Sequence, residues 1–165
     1  MMKKIKQTLK LKVFFIMTLV LMFSIFNWSA GALEFIGEKG QALQLENEVV
    51  VVPVQELDKN SMHFFHVLLP SGITVYLILV RDNQGIFRAA ANACQLCFPA
   101  GDGFHLEGDL VICNVCGNPY PLEKIGTEKG DCNPVPISPN LEVSDGNIQF
   151  TLQDLNKIAP YFEKE

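Results

Sequence analysis

Cysteine is absent from the first 93 residues of this 165-residue chain, which excludes a lipid-modified N-terminal cysteine. Basic side chains are scarce beyond residue 32. Removing the five lysines of residues 1–32 leaves eight basic against 18 acidic residues, a net charge of −10. This balance argues against a nucleic-acid-binding protein, which needs a basic footprint. No Gly-rich phosphate loop, Ser/His/Asp grouping or paired-carboxylate motif is present, which favours a metal-binding or electron-transfer protein over an enzyme.

The N-terminal 32 residues differ from the rest of the chain. Five lysines precede an apolar run from Val13 to Trp28, and four small residues follow it. This order is typical of a secretory signal peptide cleaved after Ala32. The 21 residues from Val13 to Leu33 are also just long enough for a hydrophobic helix that anchors the chain in a membrane. Because the lysines stay in the cytoplasm in both cases, we expect a membrane-anchored or secreted domain on the extracytoplasmic side.

The cysteines that are present include two C-x-x-C pairs, Cys94/Cys97 and Cys113/Cys116, with fifteen residues between the pairs. This spacing is within the range of zinc sites, and cysteine sulfur also holds iron–sulfur clusters. The sequence therefore predicts that these four residues bind one metal centre. We expect Gly117, which has no Cβ, to let the backbone fold close to that centre. Disulfides or thiol redox chemistry are the alternatives, since the chain is exported.

Cys132 and three histidines need separate interpretations. Cys132 lies in a Gly/Asn/Pro loop close in sequence to Cys116, so we expect it near the site, as a fifth ligand, a reactive thiol or a buried small residue. His105, between the two pairs, is either a surface residue or a partner of the site. His63 and His66 are three apart on a predicted strand, so they face opposite sides and do not share a metal.

Strand patterns dominate the remainder of the chain. Runs of β-branched and aromatic residues bounded by turns predict strands over 49–54, 62–69, 73–80, 86–90 and 110–112. The five prolines from Pro119 to Pro139 predict loop with edge strands at most. Asp145-Gly146 predicts a hairpin turn between strands 141–143 and 148–152, and a short helix is predicted over 152–162.

Three domains follow from these patterns. Residues 1–32 are a signal peptide or an N-terminal membrane anchor. Residues 33–48 are a linker or a loosely docked arm. Residues 49–165 are a mainly β, cysteine-rich metal-binding domain with its metal-binding loops at one end.

Three segments resemble a known family: Arg88–Cys97, Gly108–Gly117 and Ile125–Pro136. Their order is similar to that of the membrane iron–sulfur FtrD-like domain over about residues 50–152. The resemblance implies a domain of bacterial membranes, often linked to ferrous-iron uptake through an iron permease, that binds iron–sulfur and helps to move electrons. It maps the family's cysteines onto five positions: Cys94, Cys97, Cys113, Cys116 and Cys132. The chain differs from the family at Asn92, where relatives tend to have an acid.

The fold also resembles, more loosely, a small Rieske-like antiparallel β domain. In Rieske domains, histidines supply two of the four ligands to a 2Fe–2S centre. Here Cys97 and Cys116 take those positions, and four thiolates lower the expected reduction potential. A 2Fe–2S cluster is accordingly favoured over 4Fe–4S. The leader has no twin arginine, so the chain crosses the membrane unfolded. A cluster assembled in the cytoplasm does not travel with an unfolded chain, which leaves zinc as the alternative.

Taken together, the sequence predicts an extracytoplasmic, membrane-associated iron–sulfur protein whose centre is held by four cysteines. Its predicted role is electron transfer in support of an iron uptake or permease system. The expected partners are the membrane, an iron permease complex and other redox proteins. Two alternatives stay open: a structural zinc-binding interaction module, and a thiol or metal-relay protein that uses Cys132.

Overall fold

The computed structural model describes residues 34–127, 130, 132–137 and 141–163. The signal peptide or hydrophobic helix predicted over residues 1–32 lies outside these described residues. Within them, none of the helices has the length and apolar character that a membrane span requires.

The described chain forms three small sheets. The largest has the strand order β1-β3-β4-β5-β9, with β1 (Gln41–Leu43), β3 (Ser61–Leu68), β4 (Thr74–Arg81), β5 (Phe87–Cys94) and β9 (Pro134–Pro136). The second has the order β10-β11-β2, with β10 (Val143–Ser144), β11 (Asn147–Thr151) and β2 (Val49–Pro53). The third is β6 (Phe104–Glu107), β7 (Leu110–Cys113) and β8 (Pro119–Pro121). The predicted mainly β class is confirmed.

Strand β4 has an apolar centre, Leu77–Val80, because both of its faces are buried there. Successive side chains of a strand point to opposite faces. Leu77 and Leu79 belong to the main core, with β2, β11 and the C-terminal helix. Ile78 and Val80 belong to a second core, with residues of the third sheet. The main sheet is therefore a central layer between two cores.

The same alternation in β5 determines where the first cysteine points. Ala89 and Ala91 face the main core. Ala90 and Cys94 face the second core, which also contains Cys113 of the third sheet. The face of β5 that carries Cys94 is thus the face on which the third sheet packs.

The C-terminal segment follows its sequence pattern closely. Helix α1 spans Leu152–Ile158, and a 3₁₀ turn, Ala159–Tyr161, follows it where Pro160 interrupts the helical hydrogen bonds. The Thr151 hydroxyl accepts from the N–H of Asp154, whose carboxylate accepts from the N–H of Thr151, which forms a capping box. The predicted helix over 152–162 is confirmed, with its last residues in the tighter turn.

The turn prediction is confirmed, and the proline prediction is confirmed for the described residues; Pro139 lies outside them. The proline-containing strands β8 and β9 are both edge strands of their sheets. Asp145 and Gly146 have φ values of 49° and 74°, as a two-residue turn between β10 and β11 requires.

Two short strands are absent from the sequence predictions. β1 lies within the segment predicted as a linker or loosely docked arm, and it pairs parallel to β3. Phe35, in the same segment, is buried and stacks on Tyr76 with ring centroids 3.9 Å apart. β6 pairs antiparallel to β7 and places Phe104 opposite Cys113. Strands of three or four residues have too few positions to show an alternating pattern.

Candidate metal centre

The first cysteine pair lies where β5 leaves the main sheet. Cys94 is the last residue of β5 and is buried. The turn brings the N–H of Cys97 to 3.2 Å from Cys94 Sγ, to which it donates. A 3₁₀ turn, Phe98–Ala100, then leads into Gly101, whose φ of 71° turns the chain away. The tight turn thus provides the Cys94 sulfur together with a backbone N–H group that hydrogen-bonds to this sulfur.

The second pair lies between β7 and β8. Cys113 is buried at the end of β7, and Cys116 is exposed. The Cys113 carbonyl accepts from the N–H of Gly117 at 2.9 Å, and the N–H of Cys113 donates to the Asn118 carbonyl at 3.0 Å. Gly117 has φ of 73°, and a Cβ on it would meet no atom within 4 Å. This glycine is therefore needed for its left-handed backbone, while its close approach to the centre stays a prediction.

The pairing of β5 with β9 brings Cys132 to the same place. Cys94 lies opposite Pro134, and the N–H of Gln95 donates to the Asn133 carbonyl at 3.2 Å. The Gln95 side-chain oxygen accepts from the N–H of Gly130 at 3.1 Å. As a result, Cys132 Sγ is 4.0 Å from Cys97 Sγ. The expected proximity of Cys132 to the pairs agrees with this distance, while ligation by Cys132 stays a prediction.

The five sulfurs fall into two groups of three that share Cys97. Within each group every sulfur lies within 4.8 Å of the others: Cys94, Cys97 and Cys132 in one, and Cys97, Cys113 and Cys116 in the other. No four of the described cysteines form a single group at that spacing. All five are free thiols. Three separate chain segments therefore bring sulfur donors together around one residue.

The metal-free thiols do not ionise alike. Burial raises the pKa of Cys97 well above its ordinary value and also raises the pKa of Cys113. The thiol of Cys132 has its pKa raised to about 11, first by its hydrogen bond with Cys116 and then by burial. The pKa of Cys116 is lowered, chiefly because the N–H of Asn118 donates to its sulfur. Several thiolates cannot coexist in so small a volume without a cation, so the all-sulfur donor set fits a thiophilic metal or an iron–sulfur cluster.

Asn92 supports this site from behind. Its side chain is fully buried on β5, two residues before Cys94. Its amide nitrogen donates to the Glu38 carbonyl at 2.9 Å, and its oxygen accepts from the N–H of Phe104 at 2.9 Å. It thereby links the N-terminal arm, β5 and β6. The spacing of the cysteines does not point to Asn92, although a lone polar residue among the small apolar residues of this strand is a signal for such a role.

The histidines lie outside the sulfur groups. His105 Nδ1 is 2.5 Å from the side-chain oxygen of Asn114, which lies between Cys113 and Cys116. The Asn114 amide donates to the Asp102 carbonyl at 2.7 Å, so His105 and Asn114 connect the second turn to the loop before β6. His63 Nε2 is 3.1 Å from Ser61 Oγ, and His66 Nδ1 is 3.1 Å from the Lys39 carbonyl. None of the three histidines joins a cluster of metal-ligating side chains among the described residues.

Residues 57–162 match the family model described as membrane iron-sulfur containing protein FtrD-like. The chain belongs to this family. No curated protein and no solved structure matches the chain. The family description associates FtrD-like proteins with membranes and with iron–sulfur, and the clustered thiols of this member are suited to a metal or iron–sulfur site.

Proposed function

We propose that this FtrD-like protein is an extracytoplasmic, membrane-associated electron-transfer protein that supports an iron uptake or permease system. Its iron–sulfur cluster would be held by Cys94, Cys97, Cys113 and Cys116, with Cys132 beside them as a further ligand. The observation that carries this proposal is the convergence of five sulfurs on Cys97. The first C-x-x-C turn precedes β6 of the third sheet, and the second lies between β7 and β8 of that sheet. This order supports a Rieske-like arrangement of the ligands.

The spacing of the sulfurs favours a cluster over a single ion. Zinc bound through bonds of about 2.3 Å would bring four sulfurs within about 3.8 Å of one another. The sulfurs here divide into two groups that share only Cys97, and that spread is better suited to more than one metal atom. A 2Fe–2S cluster with four thiolate ligands is therefore our first choice. Zinc is the second candidate, because the leader has no twin arginine to export a folded, cluster-loaded protein.

The surrounding residues would set the properties of the bound group. An iron–sulfur cluster supplies a one-electron redox couple. Burial of Cys94 and Cys113 removes water from two of the ligands, whereas the exposed Cys116 leaves one edge open to an electron partner. The N–H groups of Cys97 and Asn118 donate to the sulfurs of Cys94 and Cys116 and stabilise their negative charge. We expect a reduction potential below that of histidine-ligated 2Fe–2S centres, because four thiolates carry more negative charge.

The content of the native protein tests this proposal. The full chain is purified anaerobically in detergent, and iron, acid-labile sulfide and zinc are measured per chain. We expect iron and sulfide in equal amounts, and a visible absorption that bleaches on reduction with dithionite. A colourless protein that contains zinc and no sulfide would contradict the electron-transfer role, because zinc has no redox chemistry.

The double variant Cys113→Ser/Cys116→Ser tests the ligand assignment. It removes half of the four primary donors, so we expect the metal to be lost and the free energy of unfolding to fall. A matched control is Val143→Ser, an exposed substitution in β10 that places serine outside the sulfur groups. Full metal content in the double variant would refute the assignment.

A further inference from the structure

Exposed apolar residues lie directly beside the cysteines in the sequence. Leu96 is 65% exposed and Val115 is 45% exposed, and each lies between the two cysteines of its pair. The two turns are adjacent, because Cys97 Sγ is within 4.8 Å of the sulfurs of Cys113 and Cys116. Phe98, next to Cys97, is 37% exposed. Turns at a protein surface are usually polar, so large apolar residues at these positions indicate a contact surface.

The chain enters the domain at this same end. The N–H groups of Ile36 and Gly37 both donate to the Gly101 carbonyl at 3.0 Å. The Glu34 carbonyl lies 3.2 Å from the position of a Cβ on Gly101. Gly101 is only four residues beyond Cys97, so the first described residues lie beside the cysteines. Ile36 adds a 70% exposed apolar side chain to the surface.

The sequence before Glu34 suggests what this surface contacts. The 21-residue, largely apolar segment Val13–Leu33 directly precedes Glu34 in the chain. At about 1.5 Å per residue in a helix, a segment of this length spans the hydrocarbon core of a bilayer. Ile36, whose N–H donates to the Gly101 carbonyl, is only three residues after Leu33 in the sequence.

We propose that residues 13–33 are kept as a membrane anchor and that the cysteine end, which we define by Ile36, Leu96, Phe98 and Val115, rests on the surface of that bilayer. The contact is apolar, because residues 33–165 carry a net charge of −10 and are repelled by anionic headgroups. Where the proposed electron-transfer function holds, the donor or acceptor is then a lipid-soluble or membrane-embedded molecule. The bilayer contact itself does not depend on which metal is bound.

A matched control lies at the opposite end of β5. Ile86 precedes β5 and is 47% exposed, close to the value for Val115. Cys94 ends the strand, so Ile86 is about 25 Å from the cysteines at about 3.3 Å per residue. This distance exceeds the headgroup layer, which is about 5–8 Å thick on each side of the bilayer.

Photo-crosslinking tests the proposal on the full chain. Leu96 or Ile86 is replaced with p-benzoylphenylalanine, and the protein is reconstituted into vesicles of unsaturated phosphatidylcholine. After illumination, mass spectrometry measures the fraction of chains that carry a covalently attached lipid. We expect lipid adducts with the probe at position 96 and only background with the probe at position 86. If the probe at position 96 lowers the metal content, the probe is introduced at position 98 instead.

Each outcome is decisive. Equal adducts at both positions, or none at either, would overturn the proposal. Crosslinks from position 96 to a second copy of the chain would overturn it too, since they show a protein occupant. Iron and sulfide are measured on the same samples. A sample with a full cluster and no lipid adduct refutes the bilayer contact alone, and a lipid adduct on a zinc-only sample refutes the electron-transfer function alone.

Discussion

Asn92→Asp is the substitution for which the structure gives the clearest energetic expectation. The Asn92 side chain is fully buried, donates to the Glu38 carbonyl and accepts from the N–H of Phe104. An aspartate of the same shape keeps the hydrogen bond from the N–H of Phe104. It keeps the hydrogen bond to the Glu38 carbonyl only when the carboxyl is protonated. Ionised, it buries a charge and faces a carbonyl oxygen, which is strongly unfavourable. The variant therefore folds with this carboxyl protonated.

The cost follows from the free energy of that protonation. An aspartate with an unfolded-state pKa of about 3.9 costs about 1.4 kcal/mol per pH unit to protonate, or about 4 kcal/mol at pH 7. Above the unfolded-state pKa of about 3.9 and up to pH 7, the folded variant binds more protons than the unfolded variant, so its stability falls as the pH rises. We expect Asn92→Asp to lose about 4 kcal/mol at pH 7 and about 1 kcal/mol or less near pH 4, relative to the unmodified protein at the same pH.

Urea unfolding followed by circular dichroism, with both proteins measured at each pH, provides the test. Effects of pH on the metal ligands are common to both proteins and cancel in the difference. The control is Asn147→Asp, which replaces an exposed amide that donates to the Asp145 carbonyl at 3.0 Å. We expect the control to change stability by about 0.5 kcal/mol or less at every pH. A penalty for Asn92→Asp that is small at pH 7, or that does not vary with pH, would refute the reasoning.

Three further predictions concern the centre and its supporting loops. Cys132→Ser alone leaves most of the metal bound, and loss of all metal from this variant would make Cys132 a primary ligand. Because burial raises the pKa of Cys97 and a hydrogen bond with Cys116 raises that of Cys132 to about 11, binding must release protons. The affinity for Zn²⁺, measured by competition with a chelator, should therefore rise at least about tenfold per pH unit between pH 6 and 8, and a flat profile would contradict this. Gly126→Ala should lower the free energy of unfolding by about 2 kcal/mol more than Gly108→Ala. Both glycines have positive φ, but only a Cβ on Gly126 would meet a backbone oxygen, at 2.7 Å. Equal losses of stability would show that this crowding is relieved.

Local patterns predicted much of the fold because their physical causes are local. The β-branched and aromatic runs of β3 and β4, the left-handed turn at Asp145-Gly146 and the edge positions of the proline-containing strands all depend on residues within a few positions of one another. The C-x-x-C spacing works in the same way, because one tight turn directs both thiols to one side. The sequence also carried the motif order of the FtrD-like family, which the family match confirms.

The amino-acid sequence alone is sufficient to predict the five thiols, the two turns that present four of them, and most of the strand and turn positions that support those turns. The 4.0 Å distance between the sulfurs of Cys97 and Cys132, 35 residues apart in the chain, is visible only in the folded protein, since it depends on the pairing of β9 with β5. The same is true of Asn92, whose role depends on Glu38 and Phe104 on two other segments. Contacts between distant segments depend on how whole sheets pack and leave no periodic trace in the residues that make them.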